Sequence, residues 1–278
     1  MHTTIDMPRK FASVRADRPL TDAEIRDVVP AVFASHAHHA VTDSYAYLPT
    51  SELVDALREE GFEVYMAAQS RTRTPDRREY TRHIVRMRSA SADQQGRGEF
   101  NELALDTSHD RTRALSLRAD RWRQACGNGL VVGGEFDDIR LRHNGRIMIK
   151  DVIHSARAIV QNFALVDASR DAMNAIILTD AERLRFAQAA LKIRWNPEVR
   201  PAPVPARELL VARNFEETPH TLWATFNIIQ RNVVGGGMAG ITPKGRPTKT
   251  RPIQAIGSNT QLNRALWTHA DTILRSKS

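Results

Sequence analysis

The chain has few of the residues that build disulfide-stabilised or membrane proteins. It contains a single cysteine, Cys126, among 278 residues, so it cannot form an internal disulfide. No apolar run approaches the roughly 18 residues that a membrane-spanning helix needs. The first twenty residues also lack the apolar stretch of a secretory signal. We therefore expect a cytoplasmic protein without membrane association.

Lysine is also scarce, although the chain is basic. Only six of the forty basic residues are lysines, and the net charge is +8. The planar guanidinium of arginine binds phosphate through two parallel hydrogen bonds and stacks on bases. The arginine excess therefore favours contact with nucleic acid. Arginine-rich coding by a GC-rich genome is the alternative explanation.

The first half of the chain begins with helical signals and then changes to a period of two. Residues 1–20 are predicted to be a flexible segment, and Thr21 with Glu24 has the spacing of a capping box. Pro30 should kink or split the helix that follows, and a second helix is predicted over 50–60. Alternating residues then predict strands over 62–69, 80–88, 99–107 and 112–118, and a hairpin over 139–149 around Asn144–Gly145.

The second half is predicted to be helical from about residue 151. Thr179 and Glu182 form another capping box, and four prolines interrupt the chain between 196 and 205. A later helix should end at the glycines 235–237. We therefore expect an α+β fold, with a mainly antiparallel sheet in the first half and a helical C-terminal half packed on it. The predicted parts are a core domain over 21–195 and a helical region over 206–278 with a basic loop over 235–258.

The strand predicted over 80–88 places three arginines on one face. Alternation puts Arg82, Arg86 and Arg88 opposite His83, Val85 and Met87. At about 3.3 Å per residue the stripe is roughly 20 Å long, a scale on which phosphates recur. The alternative is an ordinary solvated sheet face, with His83 as a core histidine that has its hydrogen bonds satisfied. The preceding loop adds further cations, namely Arg71, Arg73, Arg77 and Arg78.

Two other basic segments are candidates for phosphate contact. Arg111 and Arg113 flank a turn, and Arg121 and Arg123 bracket Trp122, which could stack on a base or belong to the core. The late loop contributes Lys244, Arg246, Lys249 and Arg251. Glycines 235–237 could cradle phosphates through backbone amides, but they lack the Gly-Lys-Ser/Thr ending of an ATP-binding loop. The late loop could fold over nucleic acid or simply connect two helices.

Residues that suggest enzymatic chemistry have simpler interpretations. Cys126 lies in a Cys-Gly-Asn-Gly corner without an identifiable histidine base, which favours a small buried residue at a turn. His36 and His39 could share a helix face, but two further zinc ligands are not apparent. The aspartate pairs 106/110 and 137/138 resemble turn formers more than magnesium ligands. We expect neither a catalytic residue, a metal nor a cofactor.

Residues 98–134 carry a combination of motifs that is similar to a known family. Ser108-His109-Asp110, Arg123 and Cys126-Gly127-Asn128-Gly129 resemble the central signature of the phage/plasmid-like proteins classed as domain of unknown function nine hundred and thirty-two. Flanking segments fit as well, so the resemblance covers roughly residues 45–275. The chain departs at Arg231, where the family often has a glutamate. The resemblance implies an origin on a mobile genetic element and no established catalytic residue.

Composition and resemblance together predict a nucleic-acid-binding protein that is not an enzyme. The expected partner is single-stranded DNA, bound or annealed during recombination by a protein that forms homo-oligomers. The alternative is an anti-defence protein that inhibits a host enzyme by direct protein contact.

Overall fold

A computed structural model describes residues 11–41, 47–89, 99–123, 128–131, 139–141, 148–161, 163–196, 201–213 and 220–277. The chain divides into two compact units, one of residues 1–122 and 136–163 and one of residues 123–135 and 164–278. This division differs from the boundary predicted at 196–205, because the helix before the prolines contacts the C-terminal helices of the second unit. No helix in the described ranges is long and apolar enough to cross a membrane.

The helices of the first unit follow the capping and stop signals. Helix α1 (Asp22–Val28) begins at the capping box of Thr21 and Glu24, and Pro30 opens a separate 3-10 helix, Pro30–Phe33. Helix α2 (Thr50–Glu59) ends just before Gly61, which has a φ of 83°. The unit also contains α3 (Ile149–Gln161). The two predicted helices near the N-terminus are therefore confirmed.

An antiparallel sheet forms the centre of the first unit. Its strands β1 (Phe11–Arg15), β2 (Phe62–Ser70), β3 (His83–Ser89), β4 (Glu99–Thr107) and β5 (Leu115–Arg123) lie side by side in this order. A short strand, β7 (Ile139–Leu141), pairs antiparallel with β5. Together with the helical second half, this sheet confirms the predicted α+β class.

Several element predictions for the first unit need correction. Residues 11–15 form β1 and pair with β2, so the flexible segment predicted over 1–20 does not extend to them. The strand predicted over 80–88 begins at His83, because a 3-10 helix, Pro75–Tyr80, precedes it. Ile149 starts α3 rather than closing a hairpin, and Asn144–Gly145 lies outside the described residues.

The core of the first unit lies on one face of the sheet. Val85 and Met87 of β3, Leu103 and Leu105 of β4, and Leu115 and Leu117 of β5 pack there with apolar residues of α1, α2 and α3. Because side chains alternate along a strand, their sequence neighbours must point to the opposite face. Those neighbours include Arg86, Arg88, Glu102, Asp106, Arg118 and Asp120. The pattern of the core therefore places charged residues of three strands on one surface of the sheet.

The second unit is mostly helical. It contains α4 (Phe163–Ala175), α5 (Asp180–Arg194), α6 (Leu222–Gly235), α7 (Ile256–Lys277), the 3-10 helix Ala206–Leu210, and the strand β6 (Asn128–Val131). Trp223, Phe226 and Trp267 form an aromatic cluster between α6 and α7. Strands β8 (Ala239–Ile241) and β9 (Pro247–Lys249) form a hairpin within residues 235–258, where the sequence predicted only a loop.

Candidate nucleic-acid interface

Arginines of two strands, β1 and β3, surround the carboxylate of Glu102 on the charged face of the sheet. Its oxygens lie 3.2 Å from Nη1 of Arg15, 3.5 Å from Nη1 of Arg86 and 2.9 Å from Nη2 of Arg88. The Arg88 guanidinium also lies against the rings of Tyr65 and Phe100. Burial alone would raise the pKa of Glu102, but the guanidinium groups outweigh it and hold the pKa below its usual value. Glu102 is therefore ionised and fully buried.

A second cluster forms around Asp106 and Asp120. Arg82 binds Asp106 through two hydrogen bonds of 2.8 and 2.5 Å, and Arg113 and Arg118 approach the same carboxylate at 3.2 and 3.3 Å. Asp120 accepts from Arg118 at 2.9 Å and pairs with Arg86 at 2.8 Å. Burial opposes ionisation of Asp106, yet the hydrogen bond from Arg82 and the charges of Arg118, Arg82 and Arg113 lower its pKa. Arg86 links this cluster to Glu102.

We refer to these residues as the buried ion-pair network, and it includes four of the arginines predicted to bind nucleic acid. Arg82, Arg86, Arg88 and Arg113 have side chains only 6 to 24% exposed. Their guanidinium groups already bind carboxylates, so phosphate could reach them only by displacing those pairs. The alternative prediction for the strand, a solvated sheet face, is wrong for Arg86 and Arg88, which are buried, whereas Arg82 is half-buried. Alternation identifies the two faces of a strand but not which of them is covered.

The loop before β3 is where the structure places exposed arginines. Arg71, Arg73, Arg77 and Arg78 are exposed, and none forms an ion pair with a residue that the structure describes. The ends of the loop are held together, because the Ser70 amide donates to the Arg82 carbonyl at 2.8 Å. Pro75 starts the 3-10 helix within it, and Gln69 and Thr81 donate side-chain hydrogen bonds to the Arg78 carbonyl. We call residues 71–78 the basic loop.

The second unit presents an exposed basic hairpin, residues 239–251. Lys244, Arg246, Lys249 and Arg251 are exposed, and within the described ranges none pairs with a carboxylate. Gly245, with a φ of 75°, turns the chain, and the Thr242 amide donates to the Arg246 carbonyl at 2.9 Å. The hairpin therefore displays these cations on an ordered backbone.

The glycines that precede the hairpin serve packing rather than phosphate binding. The Gly236 amide donates to the Asn232 carbonyl at 3.1 Å, and the Gly237 amide donates to the Thr250 carbonyl at 2.8 Å. A Cβ on Gly236 would lie 2.7 Å from the Arg251 carbonyl carbon. Because both amides already have internal acceptors, the predicted phosphate cradle has no support here.

The remaining predicted arginines lie near the turn at Ser108-His109-Asp110, which we call the signature turn, or at the end of β5. Arg111 is exposed in the turn that follows Ser108-His109-Asp110, with a φ of 65°. Arg121, Trp122 and Arg123 belong to β5, but their side chains lie outside what the structure describes, as does Cys126. The stacking and thiol predictions for these residues therefore stay predictions.

The signature turn is built around buried hydroxyl and imidazole groups. Ser108 and His109 are fully buried, and the Ser108 hydroxyl accepts from the Arg113 amide at 2.8 Å. Thr50 Oγ1 lies 2.8 Å from His83 Nε2 and 3.2 Å from His109 Nε2. His83 Nδ1 is 2.9 Å from the Thr81 carbonyl, so it carries the proton and Nε2 accepts from Thr50. The prediction that His83 is a satisfied core histidine is confirmed, and burial lowers its pKa to about 4.

The histidines at 36–39 do not lie on a helix. They follow the 3-10 helix Pro30–Phe33, and His36 Nε2 lies 2.8 Å from the Tyr80 hydroxyl. Asp106, for which a turn-forming role was favoured over magnesium binding, is instead bound by arginines. Across the described residues, no group of three histidine, cysteine, aspartate or glutamate side chains could hold a metal ion.

Comparison with known proteins agrees with the motif around the signature turn. Residues 37–267 match the family model described as "Domain of unknown function (DUF932)". The chain belongs to this family. The range includes the basic loop, the basic hairpin and all residues of the buried ion-pair network except Arg15.

Two relatives of the chain come from Escherichia coli strain K12. The UPF0380 protein YfjQ is 37% identical over 261 residues, which cover 94% of each chain. The UPF0380 protein YafZ is 36% identical over the same length and coverage. No solved structure matches the chain. The names of these relatives specify neither a substrate nor a reaction.

Proposed function

We propose that this protein belongs to a mobile genetic element and binds nucleic acid, as a non-enzymatic DNA-binding protein that acts on single strands in recombination. The observation that carries the proposal is the exposure of cations in the basic loop and the basic hairpin without carboxylate partners in the described part of the chain. Phosphates can replace water and counterions around such groups without breaking an ion pair.

The buried ion-pair network has a different role in this proposal. Its arginines bind Glu102, Asp106 and Asp120, and these contacts connect β3, the strand that follows the basic loop, to β4 and β5. The network thereby supports the loop instead of contacting the ligand. Single-strand preference, annealing and homo-oligomer formation are part of the proposal and rest on the family resemblance.

The salt dependence of binding tests the proposal. We expect fluorescence anisotropy to show oligonucleotide binding that weakens steeply as the salt concentration rises. A loop variant should bind the oligonucleotide more weakly than the wild type; in it, four arginines are changed to Ala, namely Arg71, Arg73, Arg77 and Arg78. Each lost phosphate contact should reduce the slope of log K against log salt by about 0.7 for a single strand. Comparing single-stranded with double-stranded DNA tests the strand preference.

A matched control separates local contact from general charge. The control variant changes four other exposed cations to Ala, namely Lys150, Arg185, Lys192 and Arg207. None of them has a carboxylate partner among the described residues, so the control loses as much positive charge as the loop variant. We expect that control to keep most of the affinity. Absence of binding at low salt, or equal losses in both variants, would contradict the proposal.

The anti-defence alternative stays a prediction. Capture of a host enzyme from lysate after nuclease treatment would favour it, since only direct protein contacts survive that treatment.

A further inference from the structure

The second unit contains a cavity that the proposed function does not use. It has a volume of about 340 Å³ and lies between the end of α5, the segment that follows the basic hairpin and the first turns of α7. Its apolar wall consists of Ile193, Ile253, Leu262 and Ala265, and Arg194, Ser258 and Gln261 contribute polar groups. Its volume lies within the roughly 300–1,000 Å³ of small-molecule sites.

Arg194 contributes the positive charge of this cavity, and that charge is not balanced by a carboxylate of the described residues. Its guanidinium is half-buried, and burial lowers its pKa. Nη2 donates to the Arg251 carbonyl at 3.2 Å, whereas the buried Nε has no hydrogen-bond partner among the residues that the structure describes. Within the described ranges no carboxylate pairs with it, in contrast to the arginines of the buried ion-pair network. A half-buried cation without a counter-charge favours an anion beside it.

The surroundings of Arg194 narrow the class of anion. The first turn of α7 contains no acidic residue, so no carboxylate there would repel an anion. Arg251, whose carbonyl accepts from Arg194, is one of the exposed cations of the basic hairpin. The isoleucines and Leu262 offer a surface for a flat apolar body, while Ser258 and Gln261 can hydrogen-bond to its edge.

We propose that this cavity binds a phosphorylated nucleoside, with its phosphate on Arg194 and its base against the apolar wall. The site is inferred from its own geometry, and the choice of a nucleotide over other anions rests on the proposed function. The nucleotide could be free or could be the 5′-phosphorylated end of a DNA strand. Both sources present the same phosphate and base.

Calorimetric titration of the full chain with nucleoside monophosphates tests the site. We expect saturable binding, which Arg194→Gln weakens about tenfold or more because a charge-assisted hydrogen bond is lost. Arg194→Lys should retain part of the affinity. Arg185→Gln, an exposed change on the same helix without a described carboxylate partner, should leave it unchanged. Thermal melting of each variant confirms that it is folded.

Further measurements distinguish a free nucleotide from a 5′-phosphorylated strand end as the ligand. They also distinguish failure of the cavity proposal from failure of the proposed nucleic-acid binding. Tighter binding of a 5′-phosphorylated oligonucleotide than of its 5′-hydroxyl counterpart, lost in Arg194→Gln, would identify a strand end; equal binding would identify the free nucleotide. The loop variant should still bind nucleoside monophosphates, even if oligonucleotide binding fails. Absence of nucleotide binding, binding of inorganic phosphate alone, or equal affinity in wild type and Arg194→Gln would overturn the proposal.

Discussion

At the scale of single residues, the same side chain type has opposite roles in this protein. Arg86 and Arg88 are buried against Glu102, whereas Arg77 and Arg78, a few residues earlier, are exposed. Burying a guanidinium is costly unless a carboxylate and further hydrogen bonds compensate for lost water. The placement of three carboxylates on β4 and β5 therefore decides which arginines remain available to a ligand.

The carboxylate of Glu102 should be essential for stability. Glu102→Gln would keep the shape of the side chain but leave the guanidinium groups of Arg15, Arg86 and Arg88 without this counter-charge. We expect a loss of about 3–5 kcal/mol in the free energy of unfolding, measured by urea denaturation. Glu52→Gln, on the exposed side of α2, is the control and should change it little. A Glu102→Gln protein as stable as wild type would show that the network is not needed.

His83 should make the fold less stable in mild acid. Its pKa is lowered from 6.5 to about 4, so between these values the unfolded chain binds a proton that the folded chain does not. Stability should therefore fall as the pH drops from about 6.5 to 4, by roughly 3 kcal/mol from this residue. The lowered pKa values of Glu102 and Asp106 would extend the loss at still lower pH.

Unfolding measured across this pH range checks the assignment to His83. His83→Gln should flatten the dependence between pH 6.5 and 4, since glutamine does not titrate. His154→Gln, at an exposed position on α3, should leave the dependence as it is. An unchanged dependence in His83→Gln would mean that other groups cause it.

At the scale of elements, local signals and long-range pairing differ in how well they could be predicted. Both capping boxes, at Thr21 and Thr179, and the helix end at Gly235 are where the sequence places them, because these signals involve residues only a few positions apart. Strand β1 was missed because the short segment 11–15 becomes a strand only by pairing with β2. The basic hairpin was likewise predicted as a loop, since three-residue strands have little periodicity.

The close approach at the end of α6 predicts a sharp difference between two glycines. Gly236 has a φ of 64°, and a Cβ there would lie 2.7 Å from backbone atoms of Arg251 and Pro252. Gly236→Ala should therefore combine backbone strain with overpacking and cost about 2–5 kcal/mol. Gly245→Ala, with a φ of 75° in open space, should cost about 1–2 kcal/mol from strain alone. Equal melting temperatures for the two variants would contradict this packing role.

At the scale of the whole molecule, the proposed cations lie on two separate compact units. The basic loop belongs to the first unit and the basic hairpin to the second. If one strand engages both, the second contact becomes intramolecular and raises the affinity without any new interaction.

The dependence of affinity on oligonucleotide length tests this bivalent binding. We expect a stepwise rise in affinity once the strand is long enough to engage both units. A variant with Lys244, Arg246, Lys249 and Arg251 changed to Ala should lose the step but still bind short strands through the basic loop. Persistence of the step in this variant would show that the units do not bind one strand together.

The sequence by itself determined the family, the α+β class, the helix caps and the basic character of the protein, because these depend on composition and on residues near one another in the chain. Only the tertiary structure decided which arginines are exposed. Whether Arg86 is solvated depends on Glu102 and Asp120, which β4 and β5 bring beside it. The alternation of apolar and charged residues along β3 does not identify those partners. The cavity beside Arg194 is likewise a product of packing, since α5 and α7 form it from residues that lie 64 to 72 positions apart in the chain.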